Sequence, residues 1–452
     1  MVHQLPKKLG LFIALIFSTS IFTCLYFEKS LVIGLSLTLA FAVMALKGYK
    51  VPVKDSLKWI VEGILSIKDI YFVVLLIGVN VSMWISSGIV PALIFYGFEI
   101  VDKVYFLLFA YVMTAVVAFF LGTGLGTLST IGVALFTLGS SIGMPSGILV
   151  GALMSGAYVA DRLSPISALV NFTIETVDVP FKAYFKKTAL VMIPAAILAA
   201  FAYYLLSLRY PSQITPDDIL AYKTLIQQQF VITPIVFLIP VAVLWASFRG
   251  VNSKIVLGMG IVLSAGVTLL VQKDLGTDIV QFMMSGYFSG SDSTFIKSLE
   301  IGGAFAMIEV VFIIMAGISM STLYEKCGWI QPIIDFIEKN TKNRLGAVLN
   351  TGLLSTALNA LTCDQTVGIL VPGKYFKGFF NRYNYDRLTL AQVIANTGTA
   401  MAPLMPWNVN ALIVLAITGV SAVDYAAFAF LNWFSFPVAI IMTAFFMKTR
   451  KS

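Results

Sequence analysis

The stretch "SGAYVADRLSPISALVNFTIE", residues 155–175, places Asp161, Arg162 and Pro165 within five residues between two long apolar segments. A carboxylate with the nearby hydroxyls of Ser164 and Ser167 offers the oxygen ligands that a sodium ion accepts. Such residues are costly inside a membrane and usually mark ion pathways. We predict that Asp161 binds the coupling ion. Alternatively, Asp161 pairs with Arg162 or caps a half-helix, although adjacent helical residues do not face each other.

The composition indicates a polytopic membrane protein. Of 452 residues, 59% are hydrophobic and 12% are charged, and the mean hydropathy is +0.92; globular domains carry about 25% charged residues. Several apolar runs reach the roughly 17–25 residues that a helix needs to cross a bilayer. They span residues 9–27, 31–46, 105–121, 189–208, 255–271 and 305–323. We expect the first run to be a retained helix and not a cleaved signal peptide.

The inventory of cysteine, histidine and charge argues against several classes of function. The three cysteines have no metal-like or disulfide-like spacing, and the one histidine, His3, stands at the N-terminus. We therefore predict no cofactor beyond the transported ions, and no enzyme activity. The net charge of +8 is explained by the excess of lysine and arginine in cytoplasmic loops, so we expect no nucleic-acid partner.

Loop charges predict the orientation. Basic clusters, all assigned to the cytoplasm, occur at residues 7–8, 47–58, 182–187, 249–254, 339–344, 374–387 and 448–451. Both termini are then cytoplasmic. Residues 104–135 leave and return on one side, and residues 345–373 do so on the other, so each segment is predicted to be a membrane-embedded hairpin, with about ten crossings elsewhere. Irregular backbone at that depth must be covered by protein or line a water-filled cavity.

The two hairpins indicate a duplication. Gly126 and Pro165 are 39 residues apart, as are Asp364 and Pro403, and the two pairs are offset by 238. We predict inverted repeats, 1–229 and 230–452, with broken helices at 148–181 and 388–419; this architecture is typical of secondary transporters. The predicted breaks are at Gly122, Gly124, Gly126, Pro165, Pro403 and Pro406. Gly122 and Gly126 are alternatively a GxxxG close-packing pair.

Four motifs carry a family resemblance. "GTGLGTLSTIG", "SGAYVADRLSPIS", "NALTCDQTVGILVPGKYF" and "TGTAMAPLMPWN" occur in this order, and over residues 70–420 the chain resembles the NhaC-type sodium/proton antiporters. The resemblance implies ion-coupling carboxylates at Asp161 and Asp364, with sodium at Asp161, Ser164 and Asp364. The other ion or substrate ligands that we expect are Thr127, Ser167, Gln365, Asn396, Thr399 and Asn408, and the third motif also includes Trp407.

The chain departs from the family pattern at three positions. Ala168 stands where the family usually has an aspartate after the second serine, and Asn396 stands where an acidic residue is common. Glu309 is an additional acid within the apolar run 301–323. We include Glu309 among the ion or substrate ligands, because it replaces the lost charge or recognises a positively charged part of an organic substrate. The equally open alternative is a protonated carboxyl bonded to a neighbouring helix.

The leading functional prediction is sodium/proton antiport by alternating access, in which a proton and sodium compete for membrane-embedded carboxylates. The alternative is sodium- or proton-coupled transport of an amino acid or small organic acid, including exchange of the malate/lactate type. A passive channel and an intramembrane hydrolase are disfavoured. We expect a multi-pass protein of the cell inner membrane whose partners are sodium, protons and lipid; a small organic solute and a homodimer are left open.

Overall fold

The fold is entirely helical over the part of the chain that the structure describes. The structure, a computed structural model, describes residues 5–27, 29–99, 105–165, 167–211, 215–249, 251–272, 278–297, 299–362, 365–383 and 385–443. These ranges contain no β-strand. Within them, seven helices are long and apolar enough to cross a membrane, or ten if each of three bent helix pairs is one span. The predicted all-α polytopic membrane protein is confirmed.

The helices of the first half are Lys7–Tyr26, Leu31–Gly48, Val53–Ser66, Lys68–Ser86, Ile89–Gly97, Phe106–Leu121, Gly124–Thr127, a π-helical turn Leu128–Gly132, Val133–Ser141, Ser146–Ala157, Ala160–Leu163, Ala168–Val177, Phe181–Arg209 and Pro216–Gln229.

The helices of the second half are Pro234–Phe237 (3-10), Leu238–Phe248, Ser253–Leu270, Ile279–Ser285, Thr294–Lys297, Phe305–Met307 (3-10), Ile308–Lys326, Gln331–Asn340, Arg344–Thr362, Gln365–Tyr375, Lys377–Arg382, Arg387–Asn396, Gly398–Met401, Ala402–Leu404 (3-10), Val409–Thr418, Ala422–Tyr425, Ala426–Phe428 (3-10) and Phe430–Ile441.

The first helix illustrates how the apolar sequence divides between protein and lipid. Ile13, Phe17 and Ile21 are spaced by four residues and are fully buried, whereas Leu15 and Phe22 are more than 60% exposed. Residues four apart lie on one face of a helix. One stripe therefore packs against the protein, and the rest of this apolar surface suits contact with lipid chains.

The first hairpin consists of helix Phe106–Leu121 and an arm from residue 124 to 141. The helix ends at Gly122, whose φ of +71° is left-handed, and Thr123 is extended and accepts a hydrogen bond from the Gly126 N–H. The GxxxG alternative is not what this geometry uses, because a Cβ at Gly126 would overlap the side chain of Thr123, its own neighbour. The second arm continues past the predicted end at 135, to Ser141.

The first broken span has three helical pieces, Ser146–Ala157, Ala160–Leu163 and Ala168–Val177. The sequence predicted two half-helices joined near Asp161. Instead, Asp161 lies on the short middle helix, and the extended joint starts at Ser164, whose φ and ψ are −71° and 130°. The piece preceding Asp161 begins at Ser146, two residues before the predicted start of the broken helix.

The second half repeats this pattern. The second hairpin has arms Arg344–Thr362 and Gln365–Tyr375, and the second broken span runs from Arg387 to Thr418. The short helices Ala160–Leu163 and Gly398–Met401 are offset by 238 residues at both ends, and helices Phe106–Leu121 and Arg344–Thr362 have the same offset at their first residues. Helix boundaries thus follow the offset that the sequence motifs have.

Packing between the halves is reciprocal. The last piece of each broken span packs against the second arm of the other half's hairpin. Lys326, at the end of helix Ile308–Lys326, pairs at 3.0 Å with Glu62 in the last turns of helix Val53–Ser66, which precedes helix Lys68–Ser86. The Gly303 N–H bonds to the Gly78 carbonyl at 2.7 Å. Helices Lys68–Ser86 and Ile308–Lys326 therefore run in opposite directions. The division into inverted repeats stays a prediction, which these contacts favour.

A labelling experiment tests the predicted orientation. Single cysteines at Ser141 and Lys377, in a variant without Cys24, Cys327 and Cys363, are expected to react with an impermeant thiol reagent from opposite sides of the membrane. Labelling of both positions from the same side would contradict the inverted-repeat arrangement.

Candidate functional site

The candidate site is a cavity of about 290 Å³ that reaches Asp161. Its polar lining residues are Asp69, Thr123, Asp161, Ser167, Lys254, Gln365 and Asn410, and its apolar lining includes Val73, Leu125, Ala168 and Val409. Asp69 and Lys254 lie at its exposed end, with side chains that are 72% and 32% exposed. Asp161, Ser167 and Gln365 are buried. The cavity thus leads from a surface ion pair to a buried carboxylate.

The first hairpin and the first broken span together position Asp161. The Gly124 N–H donates to Asp161 Oδ1 at 3.5 Å. A Cβ at Gly124 would lie 3.0 Å from Asp161 Oδ2 and 3.2 Å from the Ala157 carbonyl oxygen, a separation tight enough to favour glycine here. The left-handed turn at Gly122 brings the hairpin to this close approach. The Asp161 carboxylate therefore accepts a hydrogen bond from a backbone amide and not from a basic side chain.

Arg162 points away from the site. Its Nε donates to the Tyr158 carbonyl at 2.9 Å, and its Nη1 donates to Ser435 Oγ on helix Phe430–Ile441. No ion pair joins Asp161 and Arg162, both of which the structure describes. The alternative in which Asp161 pairs with Arg162 is therefore not what the structure contains, as expected for adjacent residues on a helix.

Two serines flank the joint of the first broken span. The Ser167 hydroxyl accepts a hydrogen bond from the Val170 N–H and caps helix Ala168–Val177. The Ser164 hydroxyl is fully buried and has no hydrogen-bond partner. A buried polar atom without a partner is costly. The Ser164 oxygen, three residues after Asp161, is therefore suited to coordinate a bound cation.

Gln365 brings the second hairpin to the first broken span. Its Nε2 donates to Tyr158 Oη at 3.1 Å, across the two halves of the chain, while its Oε1 has no partner. Asp364, which precedes it, lies outside the described residues. The predicted meeting of the two carboxylates therefore stays a prediction, whereas Gln365 does line the cavity that holds Asp161.

The break in the second broken span is also rich in unpaired polar atoms. Asn396 Oδ1, Thr399 Oγ1 and Asn408 Nδ2 are buried and without partners. These three residues do not line the Asp161 cavity. Pro403 lies in the 3-10 turn Ala402–Leu404, and Pro406 lies in the irregular segment that follows it. Trp407 Nε1 donates to the Ala360 carbonyl at 2.7 Å, which makes it a packing contact to the second hairpin.

Thr127 and Glu309 are the predicted ligands that lie elsewhere. The Thr127 hydroxyl donates to the Thr123 carbonyl at 2.8 Å and is satisfied within its own turn. Glu309 lies in the first turn of helix Ile308–Lys326, is exposed, and accepts a hydrogen bond from the Ser30 hydroxyl. It lines a different cavity, of about 740 Å³. The hydrogen bond from Ser30, the cap of a neighbouring helix, agrees with the alternative in which Glu309 bonds to a neighbouring helix. Its role as an ion or substrate ligand stays a prediction.

Sequence reasoning missed three asparagines. Asn410 lines the cavity and donates to Asn408 Oδ1 at 2.8 Å. Asn359 donates to the Gly398 carbonyl at 2.8 Å, and Asn432 donates to the Ala400 carbonyl at 2.7 Å; each Oδ1 is left without a partner. These asparagines could have been identified from the sequence because they lie inside apolar segments, where a side-chain amide needs a hydrogen-bond partner.

The ligands that the described part of the site offers are oxygen atoms. Within the described ranges, no three His, Cys, Asp or Glu side chains form a group that would hold a metal ion. Among the described residues, Asp161, Ser167 and Gln365 offer carboxylate, hydroxyl and amide oxygens to the cavity. Oxygen ligands of this kind are those that a sodium ion accepts.

Comparison with known proteins agrees with this chemistry. The model of the Na+/H+ antiporter family matches residues 156–446. The chain is 28% identical over 98% of both chains to the Na(+)/H(+) antiporter NhaC of Bacillus subtilis. It is 28% identical to the malate-2H(+)/Na(+)-lactate antiporter of the same species, over 96% of this chain and 92% of that protein.

A further relative is the arginine/ornithine antiporter ArcD of Halobacterium salinarum, 26% identical over 83% of this chain and 78% of the relative. The family match includes Asp161, the second hairpin and the second broken span, and the relatives extend over most of the chain. The resemblance to NhaC-type antiporters is therefore confirmed, and this polytopic protein belongs to the Na+/H+ antiporter family.

Proposed function

We propose that this protein exchanges sodium for protons across the cell inner membrane, with both termini in the cytoplasm. The observation that carries the proposal is the placement of Asp161, a carboxylate that accepts from a backbone amide at the buried part of the cavity and that forms no ion pair with a described residue. Such a carboxylate has no fixed counter-ion and is free to bind either a proton or sodium. The names of the NhaC relatives support the same exchange.

Electrostatics explains why the two ions are exchanged. An ionised carboxylate at membrane depth costs about 2.5–3.5 kcal/mol on insertion scales. A proton or a sodium ion on Asp161 removes most of this cost, because either one neutralises the charge. Rearrangement of the site between the two sides is then favoured only when one ion is bound. Since both ions use the same oxygen atoms, the site carries either sodium or a proton, and not both, each time it changes sides.

The other residues around Asp161 affect how tightly an ion binds, whereas Asp161 itself carries the exchange. The Gly124 N–H and the capped start of helix Ala168–Val177 direct positive partial charge toward the carboxylate. Ser167, Gln365 and Asn410 contribute neutral oxygens to the cavity wall. Asp364, at the turn of the second hairpin, is proposed as the second coupling carboxylate.

A second candidate, coupled transport of a small organic acid or amino acid, is favoured by the size of the cavity. Its volume of about 290 Å³ is roughly ten times the 30 Å³ that one water occupies in the liquid. The wall at Ala168 also lacks the carboxylate that the family usually has. Two of the relatives are named for organic substrates.

Flux through proteoliposomes tests the two candidates. Purified protein, with a pH-sensitive dye inside the vesicles, is expected to move protons when sodium is added outside, without any organic solute. Potassium addition serves as the control and is expected to give no response. Absence of the sodium response, together with sodium-driven uptake of a labelled amino acid or dicarboxylate, would contradict antiport and support the second candidate.

A further inference from the structure

Two carboxylates at the starts of helices occupy equivalent places in the two halves. Asp69 is the second residue of helix Lys68–Ser86, and Glu309 is the second residue of helix Ile308–Lys326. Each of these helices packs against a helix of the opposite half, Ser253–Leu270 and Leu31–Gly48 respectively. In each pair, the acid at the start of one helix contacts the start of the other helix.

Each acid contacts a residue at the start of its partner helix. Asp69 Oδ1 lies 2.5 Å from Lys254 Nζ, while Glu309 accepts a hydrogen bond from Ser30. The partner helices begin alike, since the Asn252 side chain caps one by accepting from the Lys254 N–H, and the Ser30 side chain caps the other. A lysine stands beside each cap, because Lys29 directly precedes Ser30.

The two acids lie toward opposite ends of the helical bundle. The helices that carry them run in opposite directions, and a helix of 19 residues is roughly 28 Å long. The ion pair between Lys326 and Glu62 shows that the end of helix Ile308–Lys326 lies near the start of helix Lys68–Ser86. Glu309, at the other end of its helix, is therefore distant from Asp69.

Each acid lines its own cavity, and one half-helix separates the two cavities. Val409 and Asn410 line the cavity with Asp69 and Asp161. Ala411, Leu412 and Leu415 line the larger cavity with Glu309 and Lys29. Residues 411, 412 and 415 share one face of a helix. The half-helix Val409–Thr418 is thus a thin partition between a cavity that reaches Asp161 and a cavity that opens beside Glu309.

The two lysines differ in what they bind. Lys254 pairs with Asp69 at the mouth of the cavity of about 290 Å³. Lys29 lines the cavity of about 740 Å³, but no ion pair joins it to Glu309 in the described part of the chain. In the described part of the chain, the cavity that reaches Asp161 thus has an ion pair at its exposed end, whereas no ion pair joins the lysine and the acid that line the larger cavity.

We propose that the pairs Asp69–Lys254 and Glu309–Lys29 form alternately and select the side of the membrane to which the Asp161 cavity opens. The proposal rests on the proposed transport function of that cavity. In the present structure the first pair holds helices Lys68–Ser86 and Ser253–Leu270 together at one mouth. In the opposite state Lys29 replaces Ser30 as the partner of Glu309, and the Asp69–Lys254 pair separates. Partly exposed pairs contribute little to folding, and a small free energy suffices to shift a two-state equilibrium.

Two reporter cysteines test the proposal in a protein without other cysteines. Val73→Cys reports on the cavity beside Asp69, and Ala416→Cys reports on the cavity beside Glu309. Lys254→Gln is expected to raise the rate at which a small water-soluble maleimide labels Val73→Cys, and to lower the rate for Ala416→Cys. Lys29→Gln is expected to have the opposite effect on both. Each change is expected to be about two- to fivefold, the range for an exposed ion pair.

The control is Lys297→Gln, which removes a different exposed lysine, 3.8 Å from Asp292, and is expected to change neither rate. Rates that do not change, or that change in the same direction at both reporters, would overturn the proposal. Labelling needs no transported solute, so this outcome is distinct from a failure of the proposed antiport.

A second measurement keeps the proposal testable if a lysine variant does not fold. The charge-exchanged variant Lys29→Glu/Glu309→Lys is expected to keep wild-type labelling rates at both reporters, because the ion pair is preserved. The charge-exchanged variant Asp69→Lys/Lys254→Asp is expected to restore wild-type labelling rates. If a charge-exchanged variant labels as the corresponding single lysine variant does, alternate pairing of the two acids and lysines is wrong.

Discussion

Asp161→Asn is expected to abolish sodium-dependent proton movement while the protein remains folded. The amide fills the same space and still accepts a hydrogen bond from the Gly124 N–H, which lies 3.5 Å from Oδ1 in the wild type. It carries no charge, however, so neither a proton nor sodium is held electrostatically. Removing one member of a desolvated charge pair costs about 2–5 kcal/mol, which weakens binding by at least about thirtyfold.

The measurement is dye-reported proton flux at increasing sodium concentrations, with thermal unfolding in detergent to confirm folding. Asp335→Asn is the matched control, because Asp335 is exposed on helix Gln331–Asn340 and accepts only from Gln331 Nε2 at 2.8 Å. Asp364→Asn is expected to behave as Asp161→Asn does. If Asp161→Asn transports normally with unchanged sodium dependence, Asp161 has only a structural role.

Gly398→Ala is expected to lower the stability of the protein. A Cβ at Gly398 would overlap Ser355 Oγ, and would lie 2.5 Å from Ser355 Cβ and 2.9 Å from the Ser355 carbonyl carbon. Rotation of the serine side chain relieves only the first contact, so backbone must move. Overpacking of this kind typically costs about 1–3 kcal/mol.

The displacement would also separate the second hairpin from the second broken span, because Asn359 on that hairpin bonds to the Gly398 carbonyl at 2.8 Å. A lower unfolding temperature and reduced flux are therefore expected together. Gly258→Ala is the control, since a Cβ there meets nothing within 4 Å and alanine favours a helix over glycine. A Gly398→Ala variant as stable as Gly258→Ala would show that the two elements do not pack as described.

Much of the fold was predictable because a membrane limits what a chain can do. An apolar run in lipid must satisfy its backbone internally, so runs such as that in helix Lys7–Tyr26 become helices whatever their neighbours are. Gly122 and Pro165 predicted interruptions for local reasons, since one permits a left-handed turn and the other cannot donate a hydrogen bond. The locations of the helices and of their interruptions follow from these local rules.

The composition of the site was predictable only where a residue is itself unusual. Asp161 is conspicuous because a carboxylate in an apolar segment is costly. Asn359, Asn410 and Asn432 are less costly and were not singled out. Glu309 was conspicuous for the same reason as Asp161, but it lies at the exposed start of its helix. The apolar run begins before this helix does, so an acid inside the run is at the start of the helix.

The sequence by itself determined that this chain is a helical membrane protein, that its family is that of Na+/H+ antiporters, and that Asp161 is its foremost candidate for ion binding. Only the tertiary structure decided which side chains meet. Gln365 reaches Tyr158 across 207 positions of the chain, and Lys254 reaches Asp69. Helical periodicity specifies the face on which a residue lies, but not which helix that face contacts. Contacts between the two halves depend on how all the helices pack at once, so they are properties of the assembled fold.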